Sequence, residues 1–379
     1  MKRNKVEKIN VLHVVLFLEI GGLETLVMEL CKHIDRDKFN VNVLCLCGYD
    51  PIYREELRKI GVPVFLIKKD GPLDFFFLRK IINLIKQEQI NVIHSHSGCF
   101  FNAAVSAYFA KKARLVYTAH GMPVETGWKA EIEDKIAAGI STKLVAVSEE
   151  IKAHLIKLFP AQRKKIVSIT NGVDTELFSP IDDIKKIEQI KERYGISSEK
   201  TIIGTVGRLE GVKNYQMLIR SFAKLIEKYP DEIHLVFIGD GSERGVLEHL
   251  THKLRVKGKV SFLGIQYELQ NIIPMLSVFV LSSLSEGTSV SLLEAQSCGV
   301  PAVVTGVGGN VRIVRDGHNG FLCRVNDYSE MAVRIERLLY DKYLMMTMRH
   351  NARTMVLENY NLYSMVNSYE QLYETVFSA

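Results

Sequence analysis

The stretch SEGTSVSLLEAQSCGVPAVVT, residues 285–305, sets two glutamates, Glu286 and Glu294, on either side of a Gly-Thr-Ser and runs on into Gly-Val-Pro and an apolar segment. A second apolar run, VFVLSSLS, precedes it. Apolar runs flanking a helical pattern make a strand, a turn, a helix and another strand, the unit from which parallel sheets are built. The turn falls at Glu286 and Gly287, and the helix starts around Thr288 to Val290 with Ser289 between them. First-turn amides have no acceptor inside a helix, so they form an anion site, and Gly287 leaves room for a phosphate. Helical side chains lean toward the N-terminus, which brings the Glu294 carboxylate to the same ligand, where a ribose diol would sit. Glu286 faces the ligand's other end. Two hydroxyl acceptors with anion-binding amides between them describe a nucleotide sugar. The alternative is that Glu286 complements the helix dipole and Glu294 pairs with a core cation.

Outward from this unit the pattern repeats along the whole chain. In the first half the strands read INVLHVV, VNVLCL, VPVFLI, VIHSH, RLVYTAH, KLVAVS and KIVSIT, separated by helical patterns such as LETLVMELCKHI. A polar segment, DDIKKIEQIKERYGISSEK, begins near Asp182, and a second series comes after it: TIIGTVGRL, HLVFIGDG, KVSFLG, VFVLSS, PAVVT and GFLCR. Two α/β domains joined near residue 180 account for this, and 379 residues with 47% hydrophobic content are ample for two cores.

Composition excludes several classes. A formal charge of +6 from 49 basic and 43 acidic residues, without long runs of one sign, implies no nucleic acid partner. The six cysteines form no CxxC pair and no compact framework, as expected of a reduced, cytoplasmic chain. No apolar stretch reaches the roughly 18 to 20 residues of a membrane span. The opening MKRNKVEK followed by INVLHVVLFL mimics a signal peptide, but His13 and Glu19 interrupt it, and an opening strand explains it better.

Ligands of open α/β sheets bind beyond the carboxyl ends of the strands. The first strand ends at Gly21 and Gly22, with Glu24 opening a helix; the pair admits a ligand to the helix amides or makes a plain tight turn. His94 and His96 share a strand face and could chelate a metal, but no further ligand stands at a recognisable spacing, which favours hydrogen-bonded structural histidines. His120, followed by Gly121 and Pro123, sits in a loop where a neutral imidazole can meet a sugar hydroxyl. Arg208 and Lys213 in GRLEGVK come after a strand and suit a departing diphosphate; the alternative is solvation. The glycines of FIGDGSERG run GxGxxxG, one residue too long for a dinucleotide fingerprint.

Taken together, these motifs resemble those of the family-4 retaining glycosyltransferases. Glu286 and Glu294 match the family's E-x7-E motif, Arg208 and Lys213 its donor-phosphate pair, GGLET its early glycine loop, and His120 with Gly121 and Pro123 its HGxP motif. The adjoining GVPAVVT and Val307 to Gly309 add specificity, and NGVDTELF at 171–178 resembles the loop ahead of the interdomain linker.

The resemblance implies a GT-B fold: two Rossmann-like domains facing across a cleft. Residues 1–181 plus about 362–379 would bind the acceptor, and 182–361 the nucleotide sugar, with NSYEQLYETVF in a last helix returning to the first domain. It implies transfer with retention, no metal and no cofactor. Arg208 and Lys213 would stabilise the diphosphate, Glu286 hold the hexose, Gly287, Thr288, Ser289 and Val290 bind phosphate, and Glu294 hold the ribose. His120 would lie near the anomeric carbon, Gly264 against the base, and Gly21 and Gly22 against phosphate or acceptor. A UDP-sugar is favoured over GDP-mannose, and a saccharide or lipid-linked acceptor in surface polysaccharide or glycolipid synthesis is expected. Peripheral contact with the inner membrane would use Phe75 to Phe77, Arg79 and Lys80, unless that helix packs on its own sheet. Trp128 is either a lip of the acceptor site or a packing residue. An epimerase would need a further acid–base pair, and a non-catalytic sugar-binding module would be expected to lack some of the four charged residues.

Overall fold

Each apolar run found in the sequence forms a strand in the computed structural model, which describes residues 8–69, 71, 76–121 and 127–378. The first seven strands are β1 (Ile9–Leu18), β2 (Phe39–Tyr49), β3 (Val64–Leu66), β4 (Val92–His96), β5 (Arg114–Ala119), β6 (Lys143–Ala146) and β7 (Ile166–Ser168). They form one parallel sheet in the order β3-β2-β1-β4-β5-β6-β7. Six more, β8 (Thr201–Val206), β9 (Ile233–Ile238), β10 (Val260–Phe262), β11 (Val278–Leu281), β12 (Ala302–Thr305) and β13 (Gly320–Cys323), form a second in the order β10-β9-β8-β11-β12-β13. Helices alternate with the strands, so both faces of each sheet are covered and the central strands read as continuous apolar runs. β4 and β11 are buried along their whole length.

Contacts divide the chain into two units, Met1–Asn171 with Tyr363–Ala379, and Gly172–Leu362. The second begins ahead of the junction expected at 181, because Val173 and Phe178 lie in its core and Val173 bridges Asn361. Arg353 secures the same segment, donating to the carbonyls of Thr175, Phe178 and Ser297 at 2.7 Å each. The last helix, Leu362–Phe377, packs in the first unit, where the Glu370 carboxylate accepts from the Asp35 amide and Tyr369 and Tyr373 are wholly buried.

In both sheets the strand order reverses at the same place, between β1 and β4 and between β8 and β11. Adjacent connections leave in opposite directions there and open a crevice beyond the carboxyl ends.

Candidate functional site

Beyond β8 and β11 the second unit gathers the stretch 285–305. Helix Val290–Ser297 starts as expected, with Ser289 as its N-cap accepting from the Leu292 amide. Leu292, Leu293 and Ala295 pack into the core, and Glu294 is carried in with them at 4% exposure. The turn before the helix places Glu286 against Lys213, with Nζ 2.7 Å from Oε1, and the Ser283 hydroxyl donates to the same oxygen at 2.6 Å. Lys213 reaches across from the β8 side, and its carbonyl accepts from the Ser282 hydroxyl, so both ends of the residue are tied to the β11 side. The pair is mostly enclosed, with side-chain exposures of 21% and 10%.

The loop after β12 locks this turn. Gly309 donates to the Gly287 carbonyl at 3.0 Å, and Gly308 adopts φ +49°. A Cβ at Gly308 would come within 1.8 Å of the Glu286 carbonyl oxygen, and one at Gly309 within 2.2 Å of that of Gly287. Only glycine allows two backbones this close. The Thr305 hydroxyl donates to the Ser283 carbonyl, and the Asn310 amide to that of Thr305, fixing the loop's two ends.

Arg208 stands apart: it pairs with Glu210 at 3.0 Å and is 66% exposed. Gly264 has φ +66°, with Arg244 Nη1 3.9 Å from where a Cβ would stand, and its carbonyl accepts from Gly239 at 2.8 Å. A Cβ on Gly239 would strike the Gly207 carbonyl at 2.1 Å and one on Gly241 the Leu209 carbonyl at 2.5 Å, so these two glycines of GxGxxxG serve close backbone packing, whereas Gly245 has open space beside it. Sequence reading missed Ser283 as a partner of Glu286; its place three residues before the glutamate was the available signal.

In the first unit, Gly21 is the N-cap of helix Gly22–His33, in extended backbone, and the Glu24 carboxylate folds back into the space beside it. The histidines form a cluster that the sequence did not announce. Register pairs His13 with His94 and His96 with Thr118, which puts them on one face of the sheet. His120 Nε2 lies 2.9 Å from His96 Nδ1, and His96 Nε2 lies 3.1 Å from His13 Nδ1. His94 binds the Tyr373 hydroxyl through Nδ1 at 2.6 Å and the Thr118 hydroxyl through Nε2 at 2.7 Å.

Burial pulls His13 and His120 down to about 3, although His120 as a whole residue is only partly buried. His94 and His96 fall well below their ordinary range through burial and then through the other histidines. The third histidine that sequence spacing did not supply is therefore His13. The nitrogens of His13, His94 and His96 lie within 4.8 Å of one another, a spacing suited to a metal, yet both nitrogens of His94 and of His96 are engaged in hydrogen bonds.

The candidate docking helix, Phe77–Gln87, buries Phe77, Ile81, Leu84 and Ile85 in its own core, so packing explains its apolar face; Phe75 lies outside the described residues. Phe76, Arg79 and Lys80 remain exposed. Trp128 is no packing residue, being 76% exposed. With Ile132 and Ile136 it forms an exposed apolar row along helix Trp128–Ile140, which packs against helix Phe100–Ala110, where Tyr108 and Phe109 are also exposed. Pro123 lies outside the described residues, and among those described no helix is long and apolar enough to cross a membrane.

Comparison with known proteins agrees with both halves. The family described as Glycosyltransferase Family 4 matches residues 20–177, and Glycosyl transferases group 1 matches 186–355. The chain is 28% identical to the UDP-Gal:alpha-D-GlcNAc-diphosphoundecaprenol alpha-1,3-galactosyltransferase of Escherichia coli, covering 97% of each. It is 29% identical to N-acetyl-alpha-D-glucosaminyl L-malate synthase of Bacillus anthracis, over 86% of this chain and 85% of that one. In fold it is similar to HepE of Anabaena, solved in complex with UDP-glucose, with a TM-score of 0.83 at 20% identity over 98% of this chain and 100% of that one.

Proposed function

The chain belongs to glycosyltransferase family 4, and from that premise we propose that it moves a hexose from a UDP-sugar to a lipid-linked or saccharide acceptor with retention and without a metal. The observation that carries this reading is the Lys213–Glu286 pair beside the start of helix Val290–Ser297, at the switch point of the second sheet. An ammonium and first-turn amides suit a diphosphate, and their charge complementarity increases as the leaving group takes up negative charge. When the diphosphate draws Lys213, the Glu286 carboxylate keeps Ser283 as a partner and its other oxygen accepts from hexose hydroxyls. Arg208 swings from Glu210 to the outer phosphate, Gly264 lies against the base, and Glu294 takes the ribose.

The E. coli relative's name supplies the uridine diphosphate and the lipid diphosphate acceptor; that of the B. anthracis relative carries a different sugar and malate. The sugar itself therefore does not carry over. A lipid-linked acceptor fits the exposed row of Trp128, Ile132 and Ile136, flanked by Lys129 and Lys135. Trp128→Ser is expected to weaken sedimentation with anionic phospholipid vesicles several-fold, by the burial of one aromatic. Unchanged sedimentation would remove the membrane from this reading.

Thermal unfolding with UDP, GDP or ADP, with and without a chelator, tests the donor. UDP at about a hundred times its dissociation constant stabilises the chain by about 2.7 kcal/mol if it binds only the folded state. The shift should survive chelation and vanish in Glu294→Ala. Release of UDP from UDP-sugar only with acceptor present distinguishes transfer from epimerisation. No shift with any nucleotide would overturn the donor site.

A further inference from the structure

The histidine row behind His120 has a consequence for that residue's chemistry. Three rings are bonded in series, His13 Nδ1 to His96 Nε2 and His96 Nδ1 to His120 Nε2. Each ring is neutral near pH 7, because burial lowers the affinity of all of them for a second proton. A neutral imidazole has one N–H and one lone pair, so each contact needs one of each. The protons must then all stand on Nδ1 or all on Nε2. Partners decide which, since heavy-atom positions do not.

The end of the row breaks the tie. His13 Nε2 is buried and has no hydrogen-bond partner among the described residues. With protons on Nε2 it would be an orphaned N–H, and with protons on Nδ1 an orphaned lone pair. Buried N–H groups without acceptors are the rarer of the two in folded proteins. His120 Nδ1, at the other end, takes no partner among the described residues, while its backbone amide is held by the Ser97 hydroxyl at 3.2 Å. His94 braces the row from the side, its ring 4.2 Å from that of His96, and is itself pinned by Tyr373 of the last helix.

We propose that His13 and His96 are positioning residues that fix the tautomer of His120, so that its Nδ1 bears the proton and is presented as a hydrogen-bond donor. On the glycosyltransferase reading above, His120 then offers a proton donor to a ligand oxygen and does not act as a base. The device replaces the carboxylate that commonly orients a functional histidine with a neutral relay. A carboxylate at that depth would bring an uncompensated charge into the sheet, and imidazoles do not.

Nitrogen-15 NMR of histidine-labelled protein reads this directly, with the His120 signals assigned by their loss in His120→Gln. The expected result is a protonated Nδ1 and a bare Nε2 at pH 7; a protonated Nε2 overturns the proposal. His96→Asn keeps an amide able to donate to His120 Nε2 and should preserve the tautomer, whereas His96→Leu should release it. The same tautomer in both variants would reduce His96 to a packing role and also overturn it. With UDP-glucose as probe, His96→Leu should lower kcat for UDP release roughly tenfold, the worth of one hydrogen bond, with the Kd for UDP unchanged and recovery in His96→Asn. Failure of UDP to bind the native chain would instead remove the donor reading and leave the tautomer result standing.

Discussion

At the switch point of the seven-stranded sheet the chain buries a row of neutral imidazoles, and at the corresponding point of the six-stranded sheet it sets an ammonium against a carboxylate. The strand order reverses in the same way in both, so the difference lies in where along the strands and turns the polar residues stand. The histidines sit within strands or directly after one, roofed by Tyr369 and Tyr373, and a site that deep favours uncharged, hydrogen-bonded groups, the one lone pair left over being that of His13 Nε2. Lys213, Glu286 and Gly287 sit on turns beyond the strand ends, where partial exposure and backbone donors support charge. The first arrangement can orient a hydrogen bond; the second can hold and release an anion. Removing charge from the second site should therefore cost far more activity than rearranging polarity in the first.

Lys213→Ala is the sharpest attempt to break this contrast. It removes the cation assigned to the diphosphate, and loss of one such electrostatic donor costs on the order of a hundred- to a thousandfold in turnover. It also takes the ammonium away from the Glu286 carboxylate, which is already largely enclosed and keeps the Ser283 hydroxyl as a donor. Steady-state UDP release checks it, and a loss no greater than that of His96→Leu would erase the distinction between the sites. Next in size is Gly308→Ala, which is expected to destabilise the second unit by about 2–3 kcal/mol through left-handed strain and overpacking. The added carbon would meet backbone, not a flexible side chain, so the turn at Glu286 must shift. Urea unfolding and UDP affinity should worsen together, and a loss of stability with full affinity would uncouple the loop from the site.

The histidine row makes the opposite prediction, an effect on stability in acid. The folded-state affinity of His13 and His120 for protons is lowered to about 3, against an ordinary value near 6.5. Between those values the unfolded chain binds more protons, so stability present above pH 6.5 is lost as pH falls toward 3. From pH 7 to pH 5 each of these residues contributes a loss on the order of 2 kcal/mol. His234 in the second unit, held at about 4 by burial and by Lys200 and Lys259, adds a smaller loss there. Amide protection in β1 and β4, measured against the intrinsic exchange rate at each pH, should therefore fall more between pH 7 and pH 5 than protection in β8 and β11. An equal fall would mean that the row does not govern the first unit's acid sensitivity.

The two regions were not equally legible in the sequence. All thirteen strands could be read from apolar runs, because buried parallel strands carry a continuous signal over a few neighbouring residues. The charged site was legible for the same reason: Glu286, Gly287, Ser289 and Glu294 lie within one strand–turn–helix unit, and Lys213 comes after the strand that pairs with it. The histidine row brings together positions 13, 94, 96 and 120, whose adjacency exists only after the strand order is known. His13 read in isolation merely interrupts an apolar run. Trp128 is ambiguous in sequence for a related reason, since an amphipathic ring carries no mark of which side it buries. The surroundings of the Phe77–Gln87 helix decide its apolar face in favour of packing.

The smallest effect separates the two ion pairs of the charged site. Arg208 with Glu210 and Lys213 with Glu286 are close in distance, 3.0 and 2.7 Å, but the first is largely in water and the second largely enclosed. An exposed pair contributes roughly 0–1 kcal/mol, because solvent screens it and two long side chains must be held still. Glu210→Ala should therefore leave unfolding in urea within about 0.5 kcal/mol of the native chain. If Arg208 leaves Glu210 to meet the diphosphate, the same substitution removes a competitor and tightens UDP binding slightly, the more so at low salt. Weaker UDP binding would mean that Glu210 holds Arg208 in place for the ligand. The pair would then be part of the site's architecture, as Lys213 and Glu286 are, and exposure would cease to separate the two.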